Sequence, residues 1–198
     1  MRQPLTRDAI ATAARDILIA EGLSSVSLRR VAASLGVTAP ALYAHVVDKR
    51  DLLQGIAEQE IDALLRRFAD VPDGEPAERL RGMCQVYVDY ALQNPDLFRA
   101  IFLFRPELTA EPRGDEMPLG ARILESFEAV VGDASNRGAI RDSDPALAAL
   151  TVWSTVHGVV TLLLAGPPLP LDTKAALSQA AISTALTGLA NGALTHAA

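Results

Sequence analysis

Residues 27–50, SLRRVAASLGVTAPALYAHVVDKR, decide the fold, because they read as two short helices joined by a tight turn. Ser27 is a good N-cap, with a hydroxyl able to accept a bond from an orphan N–H of the first turn. Leu28, Val31, Ala32 and Leu35 follow at helical spacing. Gly36 stops that helix, since glycine enters the left-handed conformation at a helix C-terminus without steric cost, and Val37 behind it holds the turn against the core. Thr38 then caps a second helix. Its outward face offers Thr38, Ala39, Ala41, Tyr43 and His45, while Leu42 and Val46 point inward with Val31 and Leu35. The pattern is a helix-turn-helix.

The rest of the composition fits such a module. Of 198 residues, 49% are hydrophobic and only 5% aromatic, with hardly any alternating β-branched runs, which predicts an all-α protein. A chain of this length forms one domain or two and buries a sizeable core. The net charge of −6 is wrong for a nucleic-acid binder until it is divided along the sequence. Residues 1–50 hold seven Lys/Arg against four Asp/Glu, and the remainder eleven against twenty. Such asymmetry suits a small DNA-reading module attached to an acidic domain with a different task. Cys84 is the only cysteine, so no intrachain disulfide is possible, and no Cys/His cluster has metal-ligand spacing. No cofactor or metal is expected. The opening MRQPLTRDAIATAARDIL has charges scattered through its apolar positions, unlike a secretory signal, and the expected location is cytoplasmic.

Before the motif, Thr6 can cap a first helix with Asp8 in its first turn and a buried stripe of Ile10, Ala13, Ala14, Ile17 and Leu18, ended by Gly22. That helix completes a three-helix DNA-binding domain over residues 1–50. After it, Asp48 caps a connecting helix over residues 48–70, with Leu52, Leu53, Ile56, Ile61, Leu64, Leu65 and Phe68 as its apolar positions. The stretch VPDGEPAE, residues 71–78, is punctuation, and a second helical domain is expected over 76–198. Its helices are expected at 78–93, with Leu80, Met83, Cys84, Tyr87 and Leu92 inside, then in LFRAIFLF after Asn94-Pro95, and at 119–136; residues 105–118 read as a loop.

The last third carries no Asp, Glu, Lys or Arg from Pro145 to Leu171 or from Ala175 to Ala198. A helix apolar all round is buried on every side or sits in lipid. Residues 146–165 are long enough to span a bilayer. They also carry Thr151, Ser154, Thr155, His157 and Thr161, and lack a basic flank and an aromatic belt, so no membrane partner is expected. The soluble alternative is a homodimer in which both uncharged helices pack against their copies as a four-helix interface.

With these pieces placed, residues 6–68 resemble the N-terminal domain of the TetR family of bacterial transcriptional regulators. The resemblance is carried by the Leu23 to Val31 lead-in, Ala32-Ala33 with Leu35-Gly36-Val37, Ala41-Leu42-Tyr43-Ala44-His45, and Asp48-Lys49 before Leu52-Leu53. Val46 stands where the family commonly has an aromatic, a departure expected to affect core packing alone. In the second half, NPDLFRAIF at 94–102 and TVWSTVHGVV at 151–160 are similar to a subgroup whose C-terminal domain carries a Trp and a His-Gly at this spacing. The resemblance implies that the second helix of the motif enters the major groove of a double-stranded DNA operator while a neighbouring helix N-terminus grips the backbone. That puts Thr38, Ala39, Pro40 and Ala41 at the leading edge. Ala39 and Ala41 can touch thymine methyls but cannot hydrogen-bond a base, so Arg29 is the expected bidentate reader of guanine. Tyr43, His45 and Lys49 are expected on phosphates, and Ser27 completes the DNA-binding set. Arg30 is expected to be solvated or ion-paired. Specificity is expected to rest on Arg29, Thr38 and DNA shape, over half-sites about one helical turn apart or a little more.

The resemblance also implies an effector pocket in the C-terminal domain, a ligand that alters the spacing of two DNA-reading heads, and repression as the default. Met83, Tyr87, Tyr90, Phe98, Phe102, Trp153 and His157 are its candidate lining, and a small hydrophobic or aromatic effector is expected. His157 and Gly158 equally fit a close helix crossing at the dimer interface. Two other classes of function are open to such a chain. An enzyme would need more than Cys84 and His157 as nucleophile and base, and no G-x-S-x-G, P-loop, H-E-x-x-H or paired-carboxylate signature is present. A helical ligand-binding or interaction protein with a vestigial motif is the remaining alternative.

Overall fold

The structure is a computed structural model that describes residues 4–103, 119–138 and 144–191. Among them every regular element is helical: α1 (Arg7–Glu21), a 3₁₀ turn (Leu23–Ser25), α2 (Leu28–Leu35), α3 (Ala39–Leu42), α4 (Lys49–Ala69), α5 (Pro76–Gln93), α6 (Pro95–Phe98) running into a π-turn (Arg99–Leu103), α7 (Leu119–Asn136), α8 (Pro145–Ala165) and α9 (Leu171–Ala190). They form two compact units. The first takes residues up to Asp62 together with the segment from Asn94, and the second takes 63–93 with α7, α8 and α9. The segment 105–118, expected as a loop, lies outside the described residues.

In the first unit, local chemistry sets the helix ends. Thr6 accepts from the Ala9 N–H at 3.1 Å and Ser27 accepts from the Arg30 N–H at 3.3 Å. Gly36 sits at φ 66°, ψ 32°, and the Val37 N–H reaches back to the Ala32 carbonyl at 3.0 Å, closing a Schellman turn. Ile10, Ala14, Ile17, Leu18, Val26, Val31, Leu42, Val46, Leu52 and Ile56 are among its buried side chains. Ala11 is buried where Ala13 was expected, Ala13 being only half-buried. The reason is α4: a Cβ on Gly55 would stand 3.2 Å from the Ala11 Cβ, so the stripe of α1 turns toward that close approach. A polar ladder follows the same seam. Arg7 pairs with Asp51, Gln59 Nε2 donates to the Asp8 carbonyl at 3.0 Å, and Arg15 pairs with the buried Glu60.

In the second unit α8 packs against α5, α7 and α9. Ala148, Ala149, Val152, Val156, Val160 and Leu163 face inward, and Phe68 meets Phe127 edge-on at 5.6 Å. Helix α8 is long and apolar enough to cross a membrane by length and composition. Its burial at three- and four-residue spacing is that of a bundle helix, and Thr151, Thr155 and Thr161 satisfy their hydroxyls on carbonyls one turn back at 2.8 Å. Two expectations are corrected. Helix α5 starts at Pro76, two residues before Glu78, because a proline in the first turn sacrifices no intrahelical bond. Leu92 is 37% exposed on the outer side of α5, and Val88, Tyr90 and Ala91 are buried instead.

At Gly36 no atom lies within 4 Å of an added Cβ, so any cost of substitution comes from the backbone angle alone. Gly36→Ala is expected to lower the unfolding free energy by about 1–2 kcal/mol, and Gly36→Asn by less, because Asn tolerates the left-handed region. Urea unfolding of both variants checks this; equal losses would count against the backbone explanation.

Candidate functional site

The helix-turn-helix is built around a single anchor. Helix α3 is one turn long and Leu42 is its buried residue. Around that anchor Thr38, Pro40, Tyr43, Ala44 and His45 are exposed, Tyr43 by 59%, while Ala39 and Ala41 are half-buried. Thr38 occupies the N-cap position but its hydroxyl makes no capping bond, against expectation. Pro40 removes one of the two N–H groups a cap can reach, and the other, on Ala41, is taken by the Thr38 carbonyl at 3.0 Å. The hydroxyl is therefore not spent on its own helix.

The two arginines of α2 divide. Arg29 is exposed, whereas Arg30 forks onto the Glu21 carboxylate, its Nε donating at 3.2 Å. Their mutual hydrogen bonds hold the Glu21 carboxyl below its ordinary pKa and the Arg30 guanidinium above its own. Lys49 is the first residue of α4, and its Nζ donates to the Leu23 carbonyl at 3.4 Å. Val47, beside it, is exposed. Ser27, Arg29, Thr38, Ala39, Pro40, Ala41, Tyr43, His45 and Lys49 thus all belong to the first unit.

The seven candidate pocket residues do not form one group. Tyr87, Trp153 and His157 do: the Tyr87 hydroxyl and His157 Nδ1 are 2.8 Å apart, and the Trp153 and His157 rings lie 5.4 Å centroid to centroid. The spacing of four residues on α8 puts both rings on one face. Gly120 on α7 makes room for them, since a Cβ there would stand 3.2 Å from the edge of the Trp153 ring. The Trp153 indole N–H is buried and makes no hydrogen bond among the described residues. Met83, one turn before Tyr87, instead floors a groove of about 320 Å³ between α4, α5 and α7, with Phe68 and Val130 beside it and Arg79, Ser126 and Asp133 at its polar positions. Sequence reasoning missed those partners, which become neighbours only through packing. Tyr90 lies under the Arg67 guanidinium, 5.7 Å from the ring centroid. Phe98 and Phe102 belong to the first unit and pack on each other at 4.7 Å.

Cys84 is fully buried, and burial pushes its thiol up to about 12, so at neutral pH it is not the thiolate a nucleophile requires. His157 Nδ1 is engaged by the Tyr87 hydroxyl. Along α8 the exposed Leu150, Ser154, Gly158 and Leu162 are uncharged, and so are Ala176, Ala180, Ser183 and Thr187 of α9, whose exposed charge, Asp172, lies in its first turn.

Residues 10–56 match the model for bacterial regulatory proteins of the tetR family, and residues 80–185 match the tetracyclin repressor-like C-terminal domain. The chain is 30% identical over 178 residues to the HTH-type transcriptional regulator Rv0681 of Mycobacterium tuberculosis, covering 86% of this chain and 76% of that one. In fold it is similar to a protein of unknown function from Rhodococcus sp. RHA1, with a TM-score of 0.75, 24% identity, and 95% and 97% of the two chains covered. It is also similar in fold to AibR, solved with isovaleryl coenzyme A and operator DNA, with a TM-score of 0.63, 21% identity, and 90% and 96% covered. One family model on the helix-turn-helix and a second spanning more than half of the chain show that the protein belongs to the TetR family of bacterial transcriptional regulators.

Proposed function

We propose that the protein is a cytoplasmic, non-catalytic repressor that binds a palindromic operator as a homodimer and is released by a small hydrophobic or aromatic effector. Residues 1–50 read DNA, α4 connects, and the chain from 76 onward binds the effector and dimerises. The observation that carries this reading is the string Arg29, Thr38, Tyr43 and His45, exposed around the buried Leu42, with Lys49 at a helix start. Arg29 reads a guanine edge, and the Thr38 hydroxyl, unspent on capping, is free for a base or phosphate. Tyr43, His45 and Lys49 hold the backbone.

The effector reading is supported by the cluster of Tyr87, Trp153 and His157, where an aromatic wall carries one buried indole N–H with no acceptor among the described residues. An apolar molecule with a single acceptor atom suits that combination. The Trp and His-Gly on α8 fit the subgroup suggested by sequence. In this reading His157 belongs to the pocket, through Tyr87, while the exposed Gly158 allows close crossing of a partner helix. AibR, with its acyl-coenzyme A and operator DNA, is an example on this fold of both ligands in one regulator. By linkage, an effector that disfavours the DNA-bound state itself binds less tightly on DNA.

Two tests follow from the roles assigned. Arg29→Ala should cost about 1–3 kcal/mol and relax base preference at one operator position, while Lys49→Ala should weaken all sequences alike and reduce the salt slope by about 1. Anisotropy titrations on a footprinted operator at several salt concentrations measure both, and an unchanged slope for Lys49→Ala would remove the backbone role. Leu162→Arg, which places a charge on the 47%-exposed position of α8, should convert the dimer to monomer in sedimentation velocity and weaken operator binding. A dimer indifferent to that charge would put the interface elsewhere.

A further inference from the structure

The first turn of α4 begins DKRD, so it carries two carboxylates at the end that the proposed function sets against phosphate. For a DNA grip their sign is wrong. Their hydrogen bonds explain their presence: Asp48 Oδ1 accepts from the Asp51 N–H, and Asp51 Oδ2 accepts from the Val47 N–H, each at 2.9 Å. This is a capping box reaching one residue further out than usual, and it fastens the Val47–Lys49 turn to the helix. The other oxygen of Asp51 is held by Arg7, at the start of α1 and 44 residues away in sequence. Asp51 is only 14% exposed at its side chain, Arg7 45%, so the carboxylate is covered and the guanidinium faces solvent.

We propose that Asp51 is a positioning residue for DNA binding and that Arg7 is its dedicated neutraliser. Asp51 fixes the turn that presents His45 and Lys49. Arg7 cancels a charge that would otherwise repel phosphate, and ties the N-terminus of α1 to the grip. The inference rests on the reading of this turn as the backbone contact.

Charge decides the expected order of variants. Arg7→Gln leaves the carboxylate unopposed, Asp51→Asn keeps an acceptor for the Val47 N–H while freeing Arg7 to meet phosphate, and the double variant restores the wild-type balance. Each phosphate neutralised by the protein contributes about 0.9 to the slope of log affinity against log salt, and an unopposed carboxylate beside the grip offsets up to one such contact. Binding to a mixed-sequence DNA duplex, followed by fluorescence anisotropy across a salt series, should therefore show Arg7→Gln weaker with a slope lower by up to about 0.9. Asp51→Asn should be as tight or tighter with a higher slope, and Arg7→Gln/Asp51→Asn should lie near wild type. A merely structural ion pair is absent from all three variants and predicts the same loss in each, tracking a common fall in Tm; that result overturns the proposal. Lys49→Ala in the same series separates the two readings. If it lowers the slope while the Arg7 and Asp51 variants fail to sort by charge, only this inference falls; if it does nothing, the backbone grip falls and takes this inference with it.

Discussion

A helix of one turn does not persist by itself, because nucleation costs more than a single hydrogen bond returns. Helix α3 spans only Ala39 to Leu42, and Leu42 is its one buried residue. The DNA-reading surface depends on that side chain. The Leu42 carbonyl is also used twice, accepting from the His45 N–H at 2.8 Å and from the Val46 N–H at 2.9 Å. One residue therefore sets both the seating of the recognition turn and the backbone path that displays His45. Val46, buried beside it, fills the place where an aromatic is common in the family with a smaller side chain.

Around this anchor the polar groups are partitioned between holding the unit together and meeting a ligand. Arg30 is consumed by Glu21, and Arg15 by Glu60. Arg29, next to Arg30 in sequence, is turned about 100° away from it around the helix and is exposed. Of these two ion pairs, the exposed one between Arg30 and Glu21 contributes little to stability. Their effect is to tie up cations, so that a small number of charged groups stands clear of an ion pair on the exposed side of the helix-turn-helix. In the second unit polar side chains are likewise spent within the bundle. The threonines of α8 bond their own helix, and Tyr87 and His157 bond each other.

What the sequence made legible was local. The caps at Thr6, Ser27 and Asp48 and the left-handed Gly36 depend on neighbours a few residues away, and the spacing of apolar residues shows the helices directly. The Thr38 cap failed because Pro40 changes which N–H groups exist, a local effect that was readable but outweighed by the residue type at the cap. The non-local part was not readable. Arg7 and Asp51 meet across 44 residues, and Ala11 displaces Ala13 only because Gly55 brings α4 close. Similarly, seven candidate pocket residues chosen as large and helical divide among four environments once packed, since periodicity identifies an inner face without saying which neighbour covers it.

The burial of Cys84 has a consequence for the kind of signal this regulator receives. It is the only sulfhydryl in the chain, withdrawn from solvent and held protonated. Peroxides and disulfides react with accessible thiolates. A folded protomer therefore withholds its one thiol from oxidants, and oxidation of Cys84 requires the bundle around it to open first.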